Sequence, residues 1–381
     1  FTEFTAEREL QLWREMMYLL TDESVIKVGQ NLIFDILFTW QKQHIMTRGP
    51  IRDIMLAHHF LYPDRLKKLA VTTSMYTDEP YYKDEGKVWT ERTLAKEGRE
   101  QRWRYNCKDA VVPFEIWDAI YSDLVADGLL DIYNHTIRCF PSLMFMMQRG
   151  LRLNTTAKDI LDCELTEQLT QMRKQFADIA GPDINPASNP QLIEYFYIKR
   201  KITPYSNRRT GQPTIDDKAL ARLAKGIKSR QPILEARIVQ SIRHVSKLKQ
   251  TYVNANLHND NRVRGAFNPV GTKNTRFSCS KMLHQGGGKK RIGMNTQNIP
   301  AFYRRVIIPD DGYIFIEPDK VQAEWVVVAY VCGDAHMIHI VENNLDAHVE
   351  TAKAVTRLPE DFILAEHKLV KGSRDPLYIE E

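Results

Sequence analysis

Apolar and polar positions along the chain repeat mainly with the spacing of helices. Leu10, Leu12, Trp13, Met16, Met17, Leu19 and Leu20 form the apolar side of a helix over residues 1 to about 20. Val25-Ile26-Lys27-Val28-Gly29 reads as a short strand ending in glycine, and helical spacing resumes from Gln30 through Ile36, Leu37 and Trp40. Arg52 to Leu56 opens a further helix, and Arg104 to Trp117 lies in another. Tyr121 to Arg138 reads as a connection, with turn signals at Asp127-Gly128 and Asn134. Thr156 to Ala177 is a long helical pattern. After the breaker Asn185 to Pro190, a helix runs from Gln191 to Lys199, and Thr203 to Pro213 reads as an exposed loop. Pro232 opens a helix with Leu234, Ile238, Ile242, Val245, Leu248 and Tyr252 at three- and four-residue steps.

From Arg262 the pattern turns to short strands, first Val263 to Phe267 and then the segment around Thr275-Arg276-Phe277-Ser278. The run Tyr313-Ile314-Phe315-Ile316 predicts a buried strand, closed by Glu317-Pro318-Asp319 because proline cannot donate to a sheet ladder. Val327, Val328 and Val331 then share one face of a helix, with Gln322 and Glu324 in its first turns. The expected fold class is mixed α/β and α, in several domains.

The 381 residues are 43% hydrophobic, enough for two or three domains with their own cores. A net charge of +5 says little, but its distribution says more. Between Lys199 and Lys249, fourteen Lys and Arg side chains face only Asp216, Asp217 and Glu235. That excess is a candidate phosphate-binding surface, or else a solvated helical face. Cys107, Cys139, Cys163, Cys279 and Cys332 lack metal-ligand spacing and read as reduced thiols of an intracellular protein. With no membrane-spanning run and no signal peptide visible, the expectation is a cytoplasmic chain with no membrane partner. The chain starts within a helical pattern and stops without a closing element, as a fragment of a longer protein would.

An acid at the end of a strand, such as Asp319, can cap a helix or hold a hard cation. Its surroundings favour the second role. Thr275-Arg276-Phe277-Ser278, Gln297-Asn298-Ile299-Pro300, Asp319-Lys320-Val321-Gln322-Ala323-Glu324 and Asp346-Ala347-His348 follow one another in an order that resembles family A DNA polymerases, especially phage members. A second set resembles the 3′→5′ proofreading exonuclease of the same enzymes. It comprises Val28-Gly29-Gln30-Asn31-Leu32 with Asp35, then Asp53 with Met55-Leu56, then Tyr105 with Asp109, together with the run Tyr76 to Lys83. Asn31 and Asp35, like Tyr105 and Asp109, are four residues apart and so share a helix face.

The resemblance implies an RNase H-like exonuclease remnant over 1–125, a linker and helical thumb over 126–260, and the first part of a polymerase palm over 261–381. It implies template-directed nucleotidyl transfer with proofreading, Mg2+ in two-metal sites, and primer-template DNA and deoxynucleoside triphosphates as partners. Asp35 and Asp109 would be metal ligands, Tyr105 would orient the attacking water, and Asn31 would place the DNA strand. Asp319 would hold metal in the polymerase site, with Gln322, Glu324 and His348 at the nucleotide and Glu324 as the steric gate against a 2′-hydroxyl. Arg276, Gln297 and Asn298 would contact DNA, Arg276 from the minor groove, where acceptors are similar for all base pairs. The basic helix after Pro232 resembles the thumb.

Departures from the family pattern are specific. Val321 stands where a Ser is usual, Val326 where an Arg is usual, and Pro318 precedes the acid. No equivalent of the D-x-E pair on the exonuclease's first strand is present, nor the K-x-x-x-Y-G and H-D-E motifs, and they are expected outside residues 1–381. A second polypeptide supplying fingers and the remaining palm, or a DNA-binding relic without catalysis, are the alternative readings. The insert Gln285 to Arg291 is Gly-rich and basic but lacks P-loop spacing, and it reads as a flexible loop.

Overall fold

The computed structural model describes residues 5–84, 96–226, 232–283 and 291–365. The Gly-rich insert and the two chain ends lie outside them. In chain order the first elements are α1 (Ala6–Thr21), β1 (Lys27–Gly29), α2 (Leu32–Gln43), β2 (Ile51–Asp53), α3 (Ile54–Leu61), α4 (Leu69–Tyr76), α5 (Lys96–Ala126), α6 (Leu130–Arg138), α7 (Phe140–Arg149), β3 (Leu151–Leu153) and α8 (Thr155–Ala180). Next come α9 (Asn189–Ile193), a π-helical turn (Glu194–Lys199), α10 (Asp217–Lys225), α11 (Leu234–Leu248), β4 (Arg262–Val263), β5 (Gly265–Asn268), β6 (Ser278–Leu283) and β7 (Arg291–Ile292). The described elements close with α12 (Ala301–Arg304), β8 (Ile307–Ile308), α13 (Ala323–Cys332), α14 (Ala335–Glu342) and α15 (Ala347–Thr356). The mixed α/β expectation holds.

Short polar side chains set many of the helix starts. Asp53, Asn154, Asp216, Asp334 and Asp346 each accept a backbone N–H from the first turn of the helix they precede. Gly150, with φ +65°, ends α7 and turns the chain into β3.

The chain divides into two compact units. The first comprises residues 1–150 and 264–297. Here β1 and β2 pair in parallel, Val28 opposite Arg52, and β5, β6 and β7 form an antiparallel sheet. Its main core gathers Ile33, Ile36 and Leu37 of α2, Leu56 of α3, Ile120 and Leu124 of α5, and Phe140 and Leu143 of α7. Val270 and Met282 close the same core from the later segment. A smaller cluster of Ile54, Tyr82, Val112 and Ile116 lies under the candidate exonuclease residues.

The second unit comprises residues 151–263 and 298–381. Leu161, Leu165, Leu169 and Phe176 of α8, Leu220 of α10 and Val239, Ile242 and Val245 of α11 are buried. β3 is the centre of a three-stranded antiparallel sheet between β4 and β8.

Three sequence expectations are corrected. Arg52 and Asp53 end a strand, and the helix begins at Ile54. Asn134 lies inside α6, whose buried Tyr133 and Thr136 anchor it, so tertiary packing overrides a weak turn signal. Tyr313 to Ile316 is neither strand nor buried, with Ile314 81% and Ile316 79% exposed. A strand needs a neighbour to take its ladder bonds, and among the described residues the adjacent sheet has only β4, β3 and β8. The Val327, Val328 and Val331 face of α13 is also exposed, and Ala329 is the buried residue of that helix.

Candidate functional site

In the first unit, Asn31 stands at the start of α2 in the left-handed region, φ +57°. The buried Asp53 carboxylate holds it there. Asp53 accepts the Asn31 N–H at 3.1 Å and the Leu32 N–H at 2.8 Å, then caps α3 through Met55 and Leu56. Burial pushes the Asp53 carboxyl up to about 6, against the pull of those four donors. Asp35 lies one turn along α2 on its exposed side, yet enough protein surrounds the carboxyl to push it above the usual carboxylate range.

Tyr105 and Asp109 sit one turn apart on α5. The Tyr82 hydroxyl donates to Asp109 Oδ1 at 2.8 Å, and Lys83 Nζ forms an ion pair with the same oxygen. Lys83 Nζ also lies 3.3 Å from the Tyr105 hydroxyl. The Tyr82 and Tyr105 rings meet edge to face at 5.5 Å. Burial first, and Asp109 second, push the Tyr82 phenol up, which keeps it a donor. Lys108 pairs with Glu79 at 3.0 Å beside this cluster.

The turn before β6 belongs to the same unit. Thr275 has φ +58°, and the Thr272 hydroxyl accepts the Arg276 N–H at 2.9 Å. Gln297 donates to the Phe277 carbonyl at 3.0 Å, which ties two of the predicted DNA-contact segments together. Arg276 and Gln297 are both exposed. The His59 ring faces the Thr275 hydroxyl at 3.4 Å.

In the second unit, the Tyr252 hydroxyl donates to the Asn298 carbonyl, leaving the exposed Asn298 side chain out of that bond. Asp319 is exposed on an irregular segment. Gln322, with φ +49°, precedes α13 and bridges to α15: its amide donates to the Leu345 carbonyl at 2.9 Å and accepts the Ala347 N–H at 3.1 Å. Asp346 caps the same helix through His348 and Val349. One side chain thus joins the Asp319–Glu324 segment to the Asp346-Ala347-His348 turn. Glu324 and His348 are exposed.

Divalent cations fit these residues only in part. Among the described residues no three metal-ligating side chains cluster. Asp35 and Asp109 stand on different helices, and Asp109 is engaged by Lys83 and Tyr82. Asp53, Tyr82 and Lys83 were given no role by the sequence reading, although Asp53 and the run ending in Lys83 lie within its motifs. Asp53 meets Asn31 and Leu32, and Tyr82 and Lys83 meet Asp109, across more than twenty residues, beyond the reach of any spacing rule.

The profile of DNA polymerase family A matches residues 156–369, and that of a 3′-5′ exonuclease matches residues 5–124. DNA polymerase I of Pseudomonas aeruginosa is 26% identical over 376 residues, covering 93% of this chain and 39% of that protein. DNA polymerase I of Rhizobium leguminosarum is 28% identical over 353 residues, covering 90% and 33%. The chain therefore spans about two fifths or less of the length of these relatives. Among solved structures, the POL domain of Pol1 from M. smegmatis, in complex with DNA primer-template and dNTP, is similar in fold with a TM-score of 0.67. It is 20% identical and covers 94% of this chain and 58% of that one. No described helix is long and apolar enough to cross a membrane.

Proposed function

The chain belongs to DNA polymerase family A, and from that premise we propose that it is part of a DNA-directed DNA polymerase with 3′→5′ proofreading. In the polymerase reaction the primer 3′-hydroxyl gives up its proton to water and its oxygen bonds to the α-phosphorus of a deoxynucleoside triphosphate. The bond to the β-phosphate side breaks, and pyrophosphate leaves with the displaced electron pair. In proofreading, water oxygen bonds to the terminal phosphorus, the bond to the neighbouring 3′-oxygen breaks, and that oxygen takes a proton.

The observation that carries the reading is the Gln322 clamp. It holds the segment with Asp319 and Glu324 against the turn bearing His348, so residues far apart in sequence share one neighbourhood. Asp319 is assigned to metal, Gln322, Glu324 and His348 to the incoming nucleotide, and Arg276, Gln297 and Asn298 to the duplex. In the exonuclease, Asp35 and Asp109 are the cation-holding acids, Tyr105 the water-orienting group and Asn31 the strand-placing group. Family A polymerase and exonuclease domains use divalent metal ions, and Mg2+ pairs are the proposed form here, neutralising phosphate charge in each reaction. Among the described residues neither site gathers three metal-ligating side chains, and the family pattern assigns the remaining ligands to its first-strand D-x-E pair and its H-D-E motif. A second polypeptide is one source of them. The proposed division is exonuclease 1–125, linker and thumb 126–260, and palm from 261, in a cytoplasmic enzyme.

Primer extension with Mg2+ tests this, using the chain alone and the chain lengthened by the family's flanking segments. Asp319→Ala in the longer form should abolish extension, and because Asp319 is exposed its fold should survive. The second reading, a DNA-binding relic, is favoured by the exposed Tyr313 to Ile316 run and by Val321, Val326 and Pro318. Duplex binding that falls with salt, without extension by either form, would establish it.

A further inference from the structure

The segment from residue 264 to 297 carries seven Lys and Arg and neither Asp nor Glu. It belongs to the first unit, where its Lys273 meets the loop that joins α3 to α4. Between residues 54 and 77 the one acid is Asp64 of that loop, and Lys273 takes it at 2.5 Å. The His59 ring, from the end of α3, faces the Thr275 hydroxyl. The same loop is tied to the candidate exonuclease residues, because Gln30, next to Asn31, donates to the Lys67 carbonyl at 2.7 Å. One loop thus links the Gln30-Asn31 segment to the turn that bears Arg276.

Lys67 is the charge this arrangement leaves uncompensated. It is half-buried, and among the described residues its ammonium makes no ion pair or hydrogen bond. Burial first, and the Lys273 charge second, hold that ammonium below the usual lysine range. Arg65, stacked over the Tyr62 ring at 5.3 Å, adds a further positive charge to the loop. A lysine on an ordinary solvated face keeps its charge hydrated, whereas a partly desolvated cation facing a like charge raises the free energy of the folded chain. An anion relieves that cost. The anion that both neighbouring segments are assigned to meet is the DNA backbone, and phosphate contacts position a strand without reading its sequence.

We propose, on the DNA-binding reading above, that Lys67 and Lys273 form a phosphate site that holds the DNA backbone between the Arg276 turn and the Asn31 segment.

The test is fluorescence anisotropy of a primer-template duplex with a single-stranded 3′ extension, titrated with this chain in EDTA across a salt series, so that no metal site is required. Lys67→Met keeps the apolar stem and removes the charge. It should weaken binding several-fold and lower the slope of log affinity against log salt by about 1. It should also melt no lower than the wild type, because an uncompensated charge has gone. Weaker binding with undiminished stability is a split that a merely structural role does not produce. Lys67→Arg should bind as the wild type does. Asp64→Asn releases Lys273 and should tighten binding. Inorganic phosphate at matched ionic strength should compete no better than chloride. Unchanged affinity and salt slope in Lys67→Met overturn the proposal. So does a lower melting temperature accompanying the loss, which makes Lys67 structural, and so does selective competition by inorganic phosphate, which makes the site one for a free anion. A wild type that binds no DNA sinks the DNA-binding reading itself, and the phosphate site falls with it. That outcome is distinct from a DNA-binding wild type matched by Lys67→Met.

Discussion

His58 and His59 are both fully buried next to the functional segments, and their neutrality has a consequence in pH. Burial, then Lys67 and His58, push His59 down to about 4 from 6.5. The unfolded chain takes up that proton near pH 6.5 and the folded one only near 4. The contribution of neutral His59 is therefore present above 6.5 and lost as pH falls through about 4. Asp53 acts in the opposite sense: its folded carboxyl sits at about 6 against 3.8, so its contribution is present at low pH and lost as pH rises through about 6. His59→Gln should thus flatten the acid loss of stability, by on the order of 2 kcal/mol between pH 6.5 and 4. Asp53→Asn should steepen it. Urea unfolding at pH 7, 5 and 4 reads both, and a wild-type slope in His59→Gln would count against the assignment. At this scale the sequence pattern showed where Asn31, Asp35, Tyr105 and Asp109 recur. It took in Asp53 and Lys83 as parts of motifs but gave them no role of their own, because their meaning lies in partners brought together by folding.

Among the elements, the turn after β7 tolerates only glycine. Gly293 has φ +83°, and an added Cβ would stand 2.0 Å from the Arg264 carbonyl oxygen. Gly293→Ala should destabilise the first unit by at least about 2 kcal/mol, the left-handed penalty plus a backbone clash. Thermal melting checks this, and a loss under about half that size would mean the turn relaxes. Long helices such as α8 and α11 were legible because their apolar faces repeat over many turns. The short strands were legible as β-rich segments but not in their limits. The Tyr313 to Ile316 run shows why: composition marks what could be buried in a sheet, and burial requires a neighbour. The run carries the right residues, and no described strand lies beside it.

For the whole molecule, the basic stretch from Lys199 to Lys249 divides into two kinds of residue. Arg243 donates to the Ile215 carbonyl and to Asn189, Lys249 pairs with Asp162, and Arg200 pairs with the buried Glu235. These charges hold α11 and its neighbours together. Arg237 and Lys247 on α11 are exposed. If this surface grips duplex DNA, Arg237→Ala or Lys247→Ala should each lower the slope of log affinity against log salt by about 1. Arg243→Ala should instead lower stability, because it leaves a carbonyl and an amide without their partner. Fluorescence anisotropy across a salt series, with melting curves, separates the two kinds. Sequence alone determined the family, the order of the motifs and the local net charge, because motif spacing and composition are properties of the chain itself. Only the tertiary structure decided which basic residues remain for a ligand, that Gln322 ties its own segment to the Leu345–Ala347 turn, and that Lys83 sits on Asp109. Each of these depends on contacts between positions that no local periodicity relates.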